Sequence, residues 1–324
     1  MSSSPPVVVA VDGGGSKTDV AVVDLRSGTV LSTHRGPGCS HHSLGIPAAV
    51  KLVDTAVTHA LSAAGAVGSD VVHAGCYLTS IDMPDEGQAV RDALSSLAWA
   101  SRSVDVDNDV FALLRAGTNS DDAAVVVCGT GINGAAVRSD GATARILAFG
   151  HVSGDWGGAS GLAEEVLWHA ARAEDGRGQP TALREALLVW TGHARVQDVI
   201  LAVHRRELSV EAWWSRTPEI FALAQRGDAV AASLVDRQGA EIGLLAASLL
   251  ARLGLSGSAV PVVIGGGVGS SGDARLVAAV RGALLPIAPL AELSIVAAAP
   301  IQGAVQLALS RARGQRRASA GPPG

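Results

Sequence analysis

The chain has 324 residues, a formal net charge of −5 and a hydrophobic fraction of 48%, drawn mostly from Ala, Val and Leu, with aromatics at only 3%. That length predicts one large or two ordinary domains with ample apolar material for a core, and the mild acidity gives no reason to expect a nucleic-acid partner. Cys39, Cys76 and Cys128, odd in number and without C-x-x-C spacing, indicate neither a disulfide framework nor a zinc site and fit a reducing cytosol.

In chain order, residues 1–6 carry no basic region or apolar stretch, so no signal peptide is expected. Residues 7–12, 18–24 and 29–34 predict three strands separated by Gly-rich and Ser-Gly turns. Residues 36–45 predict a loop. Pro47 then opens a helix to about residue 64, with Ala49, Leu52, Val53, Ala56, Val57 and Ala60 at helical spacing. A strand over 71–78, a helix over 84–98 and a short strand over 102–106 lead to Asp107-Asn108-Asp109, a helix over 110–116 and a loop over 117–122. A second strand meander is expected from 123 to about 149. A Gly-rich loop, 150–161, leads into a helix over 161–173, and polar residues 174–180 read as a surface linker. Helices over 181–190, 196–205, 218–225 and 228–253 follow. A strand over 260–264 then meets Gly265-Gly266-Gly267, and two more helices, a strand over 293–297 and a closing helix from Pro300 to about 312 complete the chain. The longest apolar helix candidate, 242–251, is far shorter than the ~20 residues a membrane span needs. Arg311, Arg313, Arg316 and Arg317 introduce a 313–324 segment that reads as a disordered, solvated tail.

Two stretches look like copies of one device: residues 7–24 and residues 124–137 are each an apolar β-branched run, a Gly/hydroxyl turn and a second apolar run. Strand meanders followed by helices, twice, predict two α/β domains with a cleft between them and a boundary near 117–122. A duplicated domain gripping one phosphate chain from both sides points towards phosphoryl transfer.

In the first copy, Asp12 precedes Gly13-Gly14-Gly15-Ser16-Lys17-Thr18, a turn in which glycines let several backbone N–H groups approach an anion. The Walker A spacing is absent and the chain continues as a strand, so the turn is a hairpin rather than a P-loop. Its plain reading is an ordinary glycine hairpin. Lys17 is one of only two lysines, Lys51 being the other, and a compact ammonium suits β/γ-phosphates. Asp12 could hold Mg²⁺ through water. In the second copy, Thr130 and Gly131 are the phosphate candidates, and Asn133 either forms the turn or reads a substrate hydroxyl. Gly265, Gly266 and Gly267 form a third loop that is either a βα turn or a nucleotide platform. Asp109 opens a helix, where a carboxylate is most simply an N-cap; a kinase needs a carboxylate to accept the proton of its attacking hydroxyl. Asp105 and Asp107 compete for that role. The segment Gly150-His151-Val152-Ser153-Gly154-Asp155-Trp156-Gly157-Gly158 suits sugar hydroxyls, or is a rigid loop with Trp156 anchored in the core. His41 and His42 lack a third ligand nearby in sequence, which argues against a metal pair.

Together these segments resemble the N-acetylglucosamine kinase family and its relatives, the BadF/BadG/BcrA/BcrD-type ATPases, both within the sugar kinase–actin–heat-shock ATPase superfamily. The resemblance spans roughly residues 7–310 and rests on the motifs at 12–19, 108–109, 129–133, 150–155 and 265–267. It implies two actin-like (ribonuclease H-like) domains, residues 1–118 and 119–299, with the closing helix 300–312 packing back on the first. It also implies ATP and Mg²⁺ as cofactors, a small-molecule sugar as partner, and a homodimer without nucleic-acid or membrane partners. Gly13, Gly14, Gly15, Ser16, Lys17, Thr130, Gly131 and the 265–267 glycines fall on ATP-binding positions, and Asp109 falls on the base for the sugar 6-hydroxyl. Ser40, His41, Asp109, Ile132, Asn133, Phe149, Gly150, His151 and Asp155 fall on sugar positions. Ser40 stands where the sugar kinases carry Asn, Leu78-Thr79-Ser80-Ile81 stand where relatives tend to carry a small Gly/Ala-rich turn, and Trp156 replaces a common acidic residue. The radical-enzyme activators of the BadF group share an iron–sulfur cluster between subunits; the cysteine pattern here is unlike theirs. The expected activity is phosphorylation of an amino sugar, N-acetylglucosamine first. Glucosamine, N-acetylmuramate or a cyclitol are alternative acceptors. A nucleotide-dependent switch and a non-enzymatic sugar sensor are the readings from other classes.

Overall fold

The computed structural model describes residues 5–319, with side chains as far as residue 315. It divides into two compact units: the chain up to Asn119 joined by the chain from Val296 onward, and Ser120–Ile295.

The first unit is built on β1 (Val7–Gly13), β2 (Lys17–Asp24), β3 (Val30–Pro37), β4 (Val71–Leu78) and β5 (Val104–Asn108), in the order β3-β2-β1-β4-β5. The first three strands form an antiparallel meander, and β4 and β5 join parallel on the β1 side. Strand β1 is buried along its whole length. Val7, Val9 and Val11 enter one core cluster while Val8 and Ala10 enter another, as the two-residue period of a strand dictates. Burial on both faces is why this segment reads as a continuous apolar run rather than an alternating one. Val53, Val57, Val90 and Leu94, from helices Ile46–Ala63 and Pro84–Ser95, cover the first face; Ala112, Ala304 and Ala308, from helices Val110–Gly117 and Pro300–Ser319, cover the second.

The second unit is built on β6 (Ala123–Cys128), β7 (Ile132–Val137), β8 (Thr143–Arg145), β9 (Pro261–Gly265) and β10 (Glu292–Ile295), in the order β10-β9-β6-β7-β8. It too is an antiparallel meander extended by two parallel strands on the side of its first strand. The resemblance of the two glycine turns is therefore a duplicated sheet topology. Helices Gly158–Glu174, Leu183–Thr191, Ala229–Arg252 and Ala274–Leu284 supply much of its core. Leu162, Leu183, Leu187, Leu249 and Leu250 are fully excluded from solvent, each contributing about 2 kcal/mol of transfer free energy.

Several elements differ from the sequence expectation. A helical turn, His41–Leu44, forms inside the 36–45 loop. Strand β5 starts two residues later than expected and reaches Asn108, because an edge strand with half-buried faces accepts Asp105 and Asp107 at alternate positions. A single α-helix, Ala274–Leu284, stands where two were expected, preceded by a 3₁₀ turn at Gly269–Ser271. The closing helix runs to Ser319, so residues 313–319 of the expected tail are helical. Long polar side chains tether the last turns of this helix to the first unit: Arg311 pairs with Asp105 at 3.0 Å, Arg313 donates to the Leu25 carbonyl and Gln315 to the Ser103 hydroxyl. Residues 320–324 lie outside the described residues. Among the described residues no helix is long and apolar enough to cross a membrane.

Candidate active site

In the first unit, parallel pairing sets Gly13 opposite Leu78 and Leu78 opposite Asn108, so β1, β4 and β5 end in one row. The loops that leave this carboxyl edge carry the candidate residues, as open α/β sheets dispose their sites. Thr79 donates its amide to the Gly13 carbonyl (2.7 Å) and Asp109 its amide to that of Leu78 (3.3 Å), tying the loops together. The hairpin turn closes from the Gly14 amide to the Lys17 carbonyl at 2.8 Å and leaves Gly15 and Ser16 exposed. Gly38 lies against it: a Cβ there would sit 2.0 Å from the Gly15 carbonyl oxygen, so this loop needs glycine at 38.

Beneath the turn, Asp12 and Asp19 face each other across the β1–β2 pair, both buried. Arg35 grips Asp19 with two hydrogen bonds of 2.6 and 3.0 Å, and Lys17 adds a 3.0 Å ion pair. Burial tends to raise the Asp19 carboxyl, but the Arg35 and Lys17 contacts outweigh it and hold it below the usual range. Asp12 has no such partner among the described residues. Burial first, then repulsion from Asp19, pushes its carboxyl up to about 6, against the pull of Lys17 and Arg35. A buried carboxylate facing a second one is a poor place for an uncompensated negative charge and a good one for a cation. Asp12 thus fits a hydrated divalent ion. Lys17 is half-exposed and held by Asp19, so it can turn to a phosphate only by sharing that carboxylate.

The simplest structural role for Asp109 is not realised: its side chain makes no cap hydrogen bond to the helix it opens. Asn108 takes that role from a fully buried position, accepting from the Val110 amide at 3.0 Å and donating to the Ile81 carbonyl and the Asp82 carboxylate. Burial raises the pKa of the Cys39 thiol, a Thr18 contact opposes this, and the charges of Asp109 and Asp12 add to the rise, so both carboxylates face one neighbourhood. Ser40 shares a 2.9 Å hydroxyl contact with Ser80. Ser80 has φ +66°, a left-handed conformation that a glycine would adopt without strain, which gives the departure from the relatives' small Gly/Ala-rich turn a physical meaning. His41 is nine-tenths buried, and the third polar partner that the His41-His42 pair lacks in sequence is supplied by Glu86, 2.7 Å from His42 Nε2. That corrects the expectation of an isolated pair.

In the second unit the loop Gly129-Thr130-Gly131 is held from two sides. The amides of Ala159 and Ser160 donate to the carbonyls of Gly129 and Thr130, both at 2.9 Å, and Val268 donates to Cys128. Gly158 (φ +71°) and Gly266 (φ +83°) permit this: a Cβ on either would stand 2.4 Å from the carbonyl of Thr130 or Cys128. Gln238, fully buried, fixes the Gly158 amide at 2.8 Å. The Thr130 side chain and Gly131 remain exposed. Beside them opens a cavity of about 850 Å³, within the range of small-ligand sites. Gly129, Thr130 and Gly267 line it with Trp214, Pro218 and Phe221 as apolar wall and Gln225 and Asp273 as polar groups. Of the three glycines expected to touch nucleotide, Gly267 lines the cavity, Gly266 backs onto Cys128, and Gly265 is paired within β9 opposite Val127. Phe221, Gln225 and Asp273 come from segments that the sequence marks only as helices, and Trp214 from a 3₁₀ turn, Val210–Arg216, in a stretch without a sequence signal.

The 149–158 loop folds on itself. Gly150–Ser153 is a 3₁₀ turn ended by Gly154 at φ +83°; the Ser153 hydroxyl accepts from the Phe149 amide at 2.7 Å and donates to the Asp155 carboxylate. Trp156 is buried in the core with Arg237 stacked 3.9 Å over its ring, so the anchored loop is one of its two readings realised. His151 is exposed and lies 3.5 Å from Glu164. Phe149 is exposed, Asn133 accepts from the Gly134 amide, and Ile132 is 7% exposed within the core, so only its backbone can meet a ligand.

The chain is similar to known sugar kinases in sequence and fold. The chain is 26% identical over 262 residues to an N-acetyl-D-glucosamine kinase of Dictyostelium discoideum, covering 78% of this chain and 82% of that protein. It is 24% identical over 264 residues to an N-acetylmuramic acid/N-acetylglucosamine kinase of Clostridium acetobutylicum, covering 81% and 85%. A solved structure from Chromobacterium violaceum, provisionally designated an N-acetylglucosamine kinase, superposes with a TM-score of 0.71 at 23% identity, over 94% of this chain and 99% of that one. A ROK family glucokinase from Streptomyces griseus, in complex with glucose and AMPPNP, superposes at 0.54 and 18% identity over 94% and 99%. The structural likenesses establish the actin-like ATPase fold for both sheets. The chain belongs to the BadF/BadG/BcrA/BcrD ATPase family, whose sequence model matches residues 9–308.

Proposed function

We propose that the protein is an ATP-dependent kinase that phosphorylates the 6-hydroxyl of an amino sugar, N-acetylglucosamine first. The observation that carries this reading is the division of labour at the end of β5. Asn108 does the capping, and the neighbouring Asp109, which makes no cap hydrogen bond to the helix it opens, stands at the carboxyl edge of the sheet as the base of this reading. The named relatives, two kinases of N-acetylated amino sugars, support the substrate class.

In this reading the 850 Å³ cavity takes the nucleoside, with Trp214 and Phe221 against the base and Thr130 with the 129–131 amides at the phosphates. Gly13, Gly14, Gly15, Ser16 and Lys17 supply further donors. Asp12 would hold Mg²⁺ through water, and the ion's charge would offset that of the β- and γ-phosphates. Asp109 accepts the proton of the sugar hydroxyl; that oxygen bonds to the γ-phosphorus as the bond to the β,γ-bridging oxygen breaks, and ADP departs. Asn133, Phe149, Gly150, His151 and Asp155 orient the sugar, and water exclusion limits hydrolysis. A second acceptor, N-acetylmuramate or glucosamine, is favoured by Ser40: its short side chain is already engaged by Ser80, which alters the contact that Asn makes in the sugar kinases.

Coupled ADP release measured with N-acetylglucosamine, glucosamine, N-acetylmannosamine, N-acetylmuramate and glucose tests the proposal. Release stimulated by one amino sugar, with a 6-phosphate product, is expected. ADP release independent of any sugar would replace the kinase with a nucleotide switch.

A further inference from the structure

We propose that His41, His42 and Glu86 form a site for one divalent transition-metal ion, with zinc the best match. The proposal does not depend on the kinase reading. The two histidines are adjacent in the turn His41–Leu44, and Glu86 lies in the first turn of helix Pro84–Ser95, 44 residues from His42 in sequence. One ligand atom from each of the three lies within 4.8 Å of the others.

Two observations separate this cluster from a chance meeting of polar side chains. The first is His41. Its side chain is only 9% exposed, yet its Nε2 has no hydrogen-bond partner among the described residues and lies 3.8 Å from Glu86 Oε1. Buried polar atoms are ordinarily satisfied, and one that is not calls for an explanation. A metal ion beside Glu86 Oε1 would provide the missing partner. The second is the orientation of Glu86. Its Oε2 accepts from the amides of Asp82 (2.9 Å) and Met83 (2.8 Å), which fixes the carboxylate and turns Oε1 towards both imidazoles. Such backbone support of a ligand carboxylate is what metal sites use to orient their donors.

The spacing fits as well. Zn–N bonds of about 2.0–2.1 Å in a tetrahedron imply donor separations of about 3.4 Å. The distances from Glu86 Oε1 to the two Nε2 atoms, 2.7 and 3.8 Å, bracket that value, and His42 is half-exposed and can adjust. Two imidazoles and one carboxylate suit zinc, nickel, copper or cobalt, and water completes the coordination. Magnesium, which prefers an all-oxygen shell, would be rejected.

The test uses the full chain, stripped with chelator and titrated with zinc in excess Mg²⁺ against a fluorescent zinc indicator. One tightly bound zinc per chain is expected, with affinity lowered at least about tenfold in His42→Ala and in Glu86→Gln. Gln retains an oxygen for the two amides, and unchanged melting temperatures without metal show that both variants fold. Cobalt should give visible absorption bands in the parent protein that His42→Ala loses. Absence of stoichiometric zinc, or zinc affinity in both variants equal to that of the parent protein, overturns the site.

Discussion

Replacing Asp12 by Asn should stabilise the protein while abolishing its activity. Asp12 is 8% exposed and faces Asp19, and its carboxyl is pushed from 3.8 up to about 6. A rise of about two units corresponds to about 3 kcal/mol by which the folded state disfavours the ionised carboxylate. The sign follows from proton binding. Between pH 3.8 and about 6 the folded chain retains a proton that the unfolded chain has released. Stability therefore falls as pH rises through that window and is flat above it. Asn, neutral and nearly isosteric, mimics the protonated form at every pH. Urea unfolding of both proteins at intervals from pH 4 to 7.5 should show no gap near pH 4. A gap of about 3 kcal/mol in favour of Asp12→Asn should open by pH 7. A gap that does not vary with pH, or a less stable variant at pH 7, would refute the reasoning. A cost of this size is retained in natural proteins chiefly where the charge has a task.

Asn108→Ala should cost about 2–3 kcal/mol in chemical denaturation, because it removes the acceptor of the buried Val110 amide and the hydrogen bonds that Asn108 donates to the Ile81 carbonyl and the Asp82 carboxylate. It should also lower turnover more than it changes the KM for ATP, since it releases the start of the Asp109 helix. Gly158→Ala places a Cβ 2.4 Å from the Thr130 carbonyl at φ +71°, so a loss of about 1–3 kcal/mol is expected. ADP affinity by calorimetry should fall with it; unchanged affinity would detach the 129–131 loop from nucleotide binding. Gly15→Ala meets open space, so its stability should stay within about 0.5 kcal/mol of the parent while phosphate affinity drops.

Much of this was legible because the relevant signals are local. The glycine turns at 13–15 and 129–131, each following a β-branched run, mark their hairpins and the repeated sheet topology. The unbroken apolar run at residues 7–11 marks β1, which is buried on both faces. What stayed hidden depends on side chains brought together from distant segments. Arg35 lies just past the expected end of its strand and carries no signal until the register sets it opposite Asp19. Asp109 has the spacing of an N-cap, and only the burial of Asn108 shows which neighbour caps the helix. Trp214 and Asp273 approach the loop at 129–131 from segments that carry no glycine signature. Arg311 reads as the start of a solvated tail until it meets Asp105.

The most direct measurement is single-turnover phosphoryl transfer from ATP to N-acetylglucosamine by Asp109→Asn beside the parent protein, with ATP affinity measured separately. A loss of about 10²–10⁴ in the transfer rate with unchanged ATP affinity is the predicted result. Transfer by the variant at the parent rate would contradict the assignment of Asp109 as the base and, with it, the account of why Asn108 caps the helix instead.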